Sequence, residues 1–97
     1  MHLLGDVKAA LRVDGTEHDT EITDLIEAAK SDLVLTGINP SKVVDTDPLI
    51  KRAVISYVRA NFEWDHPNTQ RLQEAYEMLK AHLSLSADYR VPGKGEG

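Results

Sequence analysis

Glu63-Trp64-Asp65-His66 carries the Glu-x-x-His spacing with which helical bundles hold paired iron ions. That chemistry needs two such motifs and two further inward carboxylates. This chain has one, at a helix end beside Pro67, so His66 reads more simply as a solvated or capping residue. His82 falls at the edge of an apolar helical stripe, the place of a partly packed histidine, and His2 and His18 belong to a terminus and a loop. Asp14-Gly15-Thr16-Glu17-His18-Asp19 is acidic but lacks the alternating oxygen ligands and later glutamate of a calcium loop. Asp45-Thr46-Asp47 is better explained by helix capping. Gly93-Lys94-Gly95 has the wrong spacing for a phosphate-binding loop, and no strand precedes it. The serines lack a histidine–aspartate constellation and a nucleophile elbow, and Pro40 disqualifies Asn39-Pro40-Ser41 as a glycosylation acceptor. The expectation is a protein without catalytic residues, metal or cofactor, and therefore not an enzyme.

What remains is charge. Arg52 and Arg59 are seven residues apart and share a helix face. Two partners suit them: Glu63, four residues after Arg59, or the acidic loop of a neighbouring subunit, Asp14 to Asp19. The net charge is −5, which argues against sequence-independent DNA binding, because that binding comes from neutralising phosphates. With no cysteine there is no disulfide or thiolate chemistry, which fits a reducing compartment. The opening MHLLGDVKAAL has neither the basic start nor the apolar run of a signal peptide. No window approaches the roughly 20 apolar residues of a membrane span. At 97 residues the chain makes one domain, able to bury about 60–70% of its unfolded surface.

These groups must be positioned by helices. Asp47 to Trp64 is the central one, opened by an Asp47 N-cap and Pro48 at the first helical position. At about 100° per residue, Leu49, Ile50, Ala53, Val54, Tyr57, Val58, Ala60, Phe62 and Trp64 sweep roughly 220° of its circumference, with Ile55 just outside. The polar stripe is narrow: Arg52, Ser56, Arg59 and Glu63. Such a helix must be wrapped by other helices, other subunits, or both. Leu3 to Val13 reads as a first helix, with Leu4, Val7 and Leu11 on one side, broken by Asp14-Gly15. A second begins at an Asp19 N-cap, carries Ile22, Leu25, Ile26, Ala29 and Leu33 on a narrow stripe, and ends at Thr36-Gly37. Val43-Val44 in the following connection is a short extended piece or a loop folded on the core. Asn68 is the expected N-cap of a fourth helix, whose stripe is Leu72, Ala75, Tyr76, Leu79 and Leu83. The expected fold is all-α: a small bundle of about four helices around a long central helix, one domain over 1–90, then a flexible tail, 91–97.

In this order the segments resemble a known family. Leu4-x-x-Val7-Lys8-x-x-Leu11-Arg12-Val13-Asp14, the acidic spacer to Asp19, and Ile22-x-x-Leu25-Ile26-x-Ala28-Ala29 are similar to the opening of tailed-phage head–tail connector proteins, adaptors also described as DNA-packaging proteins. Asp47-Pro48-Leu49-Ile50-Lys51-Arg52-Ala53-Val54, continuing through Tyr57-Val58-Arg59-Ala60-Asn61-Phe62-Glu63-Trp64, resembles the family's long middle helix. Arg71-Leu72-x-x-Ala75-Tyr76-Glu77-Met78-Leu79-Lys80-x-His82-Leu83 resembles the form found in phages and prophages of Gram-positive bacteria. The resemblance spans about residues 3–90; after Trp64 the family's last helix and arm vary greatly. It implies a structural protein of the virion neck, assembled in the bacterial cytoplasm, without cofactor or membrane partner. Its implied partners are copies of itself in a ring, the portal protein above, and the next neck or tail-completion protein. DNA would pass through the channel without sequence-specific binding, with the acidic loop Asp14, Glu17 and Asp19 at the channel or rim. The candidate inter-subunit residues are Ile55, Phe62, Trp64 and Tyr89, with Arg52 and Arg59 as polar partners. The alternative is a small helical nucleic-acid-binding module for packaging or regulation, which demands a localised basic face and salt-sensitive DNA binding.

Overall fold

The computed structural model describes residues 3–62 and 69–91. They form four helices and no named strand: α1 (Leu3–Leu11), α2 (Asp19–Thr36), α3 (Pro48–Asn61) and α4 (Thr69–Leu85). A single 3-10 turn, Pro40–Lys42, interrupts the connection between α2 and α3. This is the all-α bundle expected from the periodicities, with α3 at its centre, packed by α1, α2 and α4.

The core follows from helical spacing. Leu3, Val7 and Leu11 of α1 recur every fourth residue and are buried, and Ile22, Ile26, Ala29 and Leu33 of α2, three or four residues apart, are buried likewise. Ile50, Ala53, Val54 and Val58 of α3 meet them, and Tyr76 and Leu83 of α4 close the other side. Leu49, placed by pattern on the inward arc of α3, is 43% exposed, because it sits in the first turn at the bundle's end. Ala75 of α4, expected to face inward, is exposed, and Leu72 and Leu79 are half-buried, so α4 buries a narrower face than its stripe suggested.

Several helix ends differ from expectation, each for a local reason. Helix α1 stops at Leu11, not Val13: Arg12 turns left-handed at φ 60°. The Val13 and Arg12 N–H groups then donate to the Lys8 and Ala9 carbonyls, a Schellman closure built on a non-glycine residue. Asp19 does not cap α2 but is its first helical residue; His18 occupies the cap position without a side-chain bond. The Asp19 carboxylate is instead held by the Lys8 ammonium at 2.7 Å. At its other end α2 closes as expected, with Gly37 at φ 115°. Helix α3 begins as expected: Asp47 Oδ1 accepts from the Leu49 and Ile50 N–H groups at 2.9 and 3.1 Å. It ends at Asn61, before Trp64, because Phe62 adopts extended backbone and folds its ring into the core, where it is 4% exposed. That ring meets His18 edge-on at 5.4 Å. Of the connection, Val43 packs against the core and Val44 stays 41% exposed.

After α4 the chain returns across the bundle's end. Ile38 and Arg90 form an isolated antiparallel bridge, in which Asn39 N–H donates to the Tyr89 carbonyl at 2.6 Å and Val91 N–H to the Gly37 carbonyl at 3.4 Å. The C-terminus of α2, the N-terminus of α3 and the C-terminus of α4 thereby meet at one end. The loop 12–18 and Phe62 mark the other.

Candidate interaction surfaces

Four lysines, Lys8, Lys30, Lys51 and Lys80, join elements of the bundle. Lys8 of α1 pairs with Asp19 of α2 and also donates to the Gly15 carbonyl, drawing the acidic loop against α1. Lys51 of α3 reaches Asp6 of α1 at 3.1 Å, and Lys30 of α2 reaches Asp45 of the connection at 2.9 Å. Asp6 Oδ2, Asp19 Oδ1 and Asp45 Oδ1 are secluded from solvent, each with a lysine ammonium as its partner. Such half-exposed pairs contribute about 0–1 kcal/mol each; their role is to fix how the helices meet.

One network is better made. Tyr76 OH donates to Asp32 Oδ2 at 2.6 Å, and the Lys80 ammonium donates to the same oxygen at 2.9 Å. Lys80 also pairs with Glu77 at 3.2 Å and lies 5.2 Å from the Tyr76 ring centre, which the Tyr57 ring meets edge-on. Burial alone pushes the Asp32 carboxyl up, but the hydrogen bonds from Tyr76 and Lys80, with the Lys80 charge, outweigh it and hold it below the ordinary value. Burial and then the bond to Asp32 push the Tyr76 phenol far up. Lys80 is raised, its hydrogen bonds to Asp32 and Glu77 overcoming desolvation. The network joins α2 to α4.

The candidate inter-subunit residues separate. Arg52 is exposed, and Arg59 and Ile55 are half-buried, on one outward stripe of α3. Ile55 also packs against the core from its outer edge. Beside the stripe a groove of ≈ 280 Å³ runs between α3 and α4, lined by Arg52, Ser56, Ala75, Met78, Leu79 and His82. Phe62 is spent inside the chain, as described above. Tyr89 is half-buried, and its hydroxyl donates to Asp47 Oδ2 at 2.8 Å, a bond that raises the phenol's pKa. Asp14 and Glu17 of the acidic loop are exposed, whereas Asp19 belongs to Lys8. Trp64, with Glu63, His66 and the Asn68 cap, lies outside the described residues, as do His2 and the Gly93-Lys94-Gly95 segment.

The structure adds a surface that the stripes did not announce. Among the described residues seven large apolar side chains are exposed, and six of them sit at one end: Val34, Leu35, Val44, Leu49, Leu85 and Val91. Leu35 is 85% exposed and Leu85 77%. A groove of ≈ 430 Å³ lined by Lys30, Ser31, Val34, Leu35, Pro40 and Val43 opens there. The seventh, Met78, stands on the α3–α4 groove. The available sequence signal was apolar residues out of phase with the buried stripe, as Val34 and Leu35 are in α2. Patches of this kind on a small protein mark contact sites.

Among the described residues no three histidine or carboxylate side chains converge as a metal site would require, and no helix is long and apolar enough to cross a membrane. Neither curated proteins nor solved structures give a match to the chain. Protein families do: residues 3–90 match that of the phage connector protein. A match running from the first residue of α1 to the segment that closes the bundle's end covers all four helices, and the chain belongs to the phage connector protein family.

Proposed function

We propose that this connector is a ring-forming subunit of the virion neck, seated under the portal, where it extends the DNA channel and docks the next neck or tail-completion protein. The observation that carries the reading is the segregation of surfaces: an apolar end on a bundle whose far end bears the exposed acids Asp14 and Glu17. A ring subunit between two other proteins needs such unlike ends, whereas a self-contained monomer gains nothing from leaving Leu35 and Leu85 in water. The apolar end is the docking surface in this reading. The acidic loop faces the channel or its rim, where repulsion of phosphate lets DNA slide without sequence-specific contact. Residues 1–90 act as the connector domain and 91–97 as its tail, of which Val91 is joined to Gly37. Assembly takes place in the host cytoplasm.

Electron microscopy of the purified protein, alone and with the portal protein of the same phage, tests the reading. Rings, or an added layer on the exit face of the portal, are the expected result; a monomer that never decorates the portal overturns it. The channel role has its own test. Lysine at Asp14 and Glu17 should slow DNA packaging or ejection, and unchanged packaging and ejection would remove the loop from the channel. Asp19 is left intact there because it anchors Lys8.

A further inference from the structure

Helices α2 and α3 run antiparallel, level at the His18–Phe62 contact. The buried arc of α3 is Ile50, Ala53, Val54 and Val58; at about 100° per residue Arg52 and Arg59 point roughly opposite to it. On α2 the buried arc is Ile22, Ile26, Ala29 and Leu33, and Asp24 and Glu27 point roughly opposite. The two outward stripes therefore look away from each other on either side of the α2–α3 pair, one cationic and one anionic. No described residue pairs with Arg52, Arg59, Asp24 or Glu27, since the ion pairs of the described residues use other groups.

The stripes also stand at matching heights. Counting inward from the His18–Phe62 contact, six residues along α2 reach Asp24 and three along α3 reach Arg59; nine reach Glu27 and ten reach Arg52. At 1.5 Å per residue the offsets are about 4.5 and 1.5 Å, within the swing of an arginine side chain. Rotation about an axis parallel to the helix pair would keep heights fixed and bring these groups together between neighbouring copies.

We infer that the partner of the α3 arginine stripe is a second copy of this chain, docked through the outer face of its α2: Arg52 meets Glu27 and Arg59 meets Asp24 of the next subunit. This rests on the ring reading above and names its contact. The acidic loop is the weaker partner for the arginines, because Asp19 is already paired and Asp14 and Glu17 lie beyond the height of Arg59. The contact joins two different faces, which makes it heterologous and able to propagate into a closed ring, whereas a self-complementary patch would stop at a dimer. Exposed ion pairs add little affinity. Their task here is register and orientation, while Met78, 65% exposed beside Arg52, and the outer edge of Ile55 supply apolar contact.

Charge reversal tests the pairing. R52E/R59E and, separately, D24R/E27R should each raise the concentration needed for half-assembly by about tenfold or more, and the four substitutions in one chain should bring it back to within about threefold of wild type. Circular dichroism must show each variant folded. The native chain has no cysteine, so D24C/R59C treated with a short bismaleimide reports the contact cleanly. A ladder running past dimer supports it, and a product that stops at dimer overturns it. Rings that form with wild-type affinity in both reversal variants, or a combined variant that is not rescued, overturn this interface and leave the ring reading standing. A wild-type protein that forms no ring, alone or on the portal, removes both.

Discussion

Asp47 is the residue on which the most local structure converges. One carboxylate oxygen caps α3 and the other holds Tyr89, so a single side chain starts the central helix and fastens the returning C-terminal segment. Replacing it with alanine should cost about 1–3 kcal/mol, the sum of a lost cap and a lost hydrogen bond to a charged group. Tyr89→Phe, which spares the cap, should cost less, and urea denaturation separates the two. The Asp32–Tyr76–Lys80 network predicts a pH dependence. Folded Tyr76 and Lys80 hold their protons more tightly than the unfolded chain, so their contribution is whole below the unfolded values of about 10 and is lost as pH rises beyond them. Asp32 is depressed, so its contribution is whole above about pH 4 and is lost as pH falls further. Stability measured from pH 4 to 11 should therefore decline at the alkaline end, and Tyr76→Phe should flatten that decline.

At the scale of elements, helix endings decide the shape of the bundle. Two of them use left-handed residues, one well chosen and one not. Gly37 takes φ 115° without a Cβ, and Gly37→Ala should destabilise by about 1 kcal/mol or more. Arg12 bears the same kind of turn at φ 60° with a full side chain. Arg12→Gly should relieve about 1 kcal/mol, since Arg12 is exposed and makes no ion pair among the described residues. Thermal melts of the two variants should move in opposite directions. The four helices, their order and most of their buried faces were legible because a 3.6-residue period survives in each segment. The ends were less so. The αL turn at Arg12 has no glycine to announce it, and the displaced start of α2 depends on Lys8, which lies eleven residues before Asp19.

At the scale of the molecule, the feature to explain is an apolar end on an acidic protein. Leu35→Glu places a charge at the most exposed of its side chains, at a site that contributes little to the core. We expect wild-type stability and wild-type self-assembly from this variant, together with loss of binding to the portal or to the next neck protein, read by sedimentation of the mixed components. Binding that persists undiminished would move the docking surface elsewhere. The α3 stripe and the apolar end thus have separate expected failures, one in ring closure and the other in attachment.

The sequence by itself determined the all-α class, the centrality of α3, the Asp47 and Gly37 helix ends, and, through the ordered segments, the family. All of these depend on residues near one another in the chain, where periodicity and capping act. Only the tertiary structure decided which apolar residues beyond the buried stripes find cover and which stay outside. Phe62 and Leu35 are equally hydrophobic to a reader of the chain, yet one turns into the core beside His18 and the other remains in solvent. It also gathered the ends of α2, α3 and α4, together with the segment around Arg90, into one surface, and set Asp24 and Glu27 level with two arginines on the opposite face. Such placements come from packing between distant segments, and no local pattern encodes them.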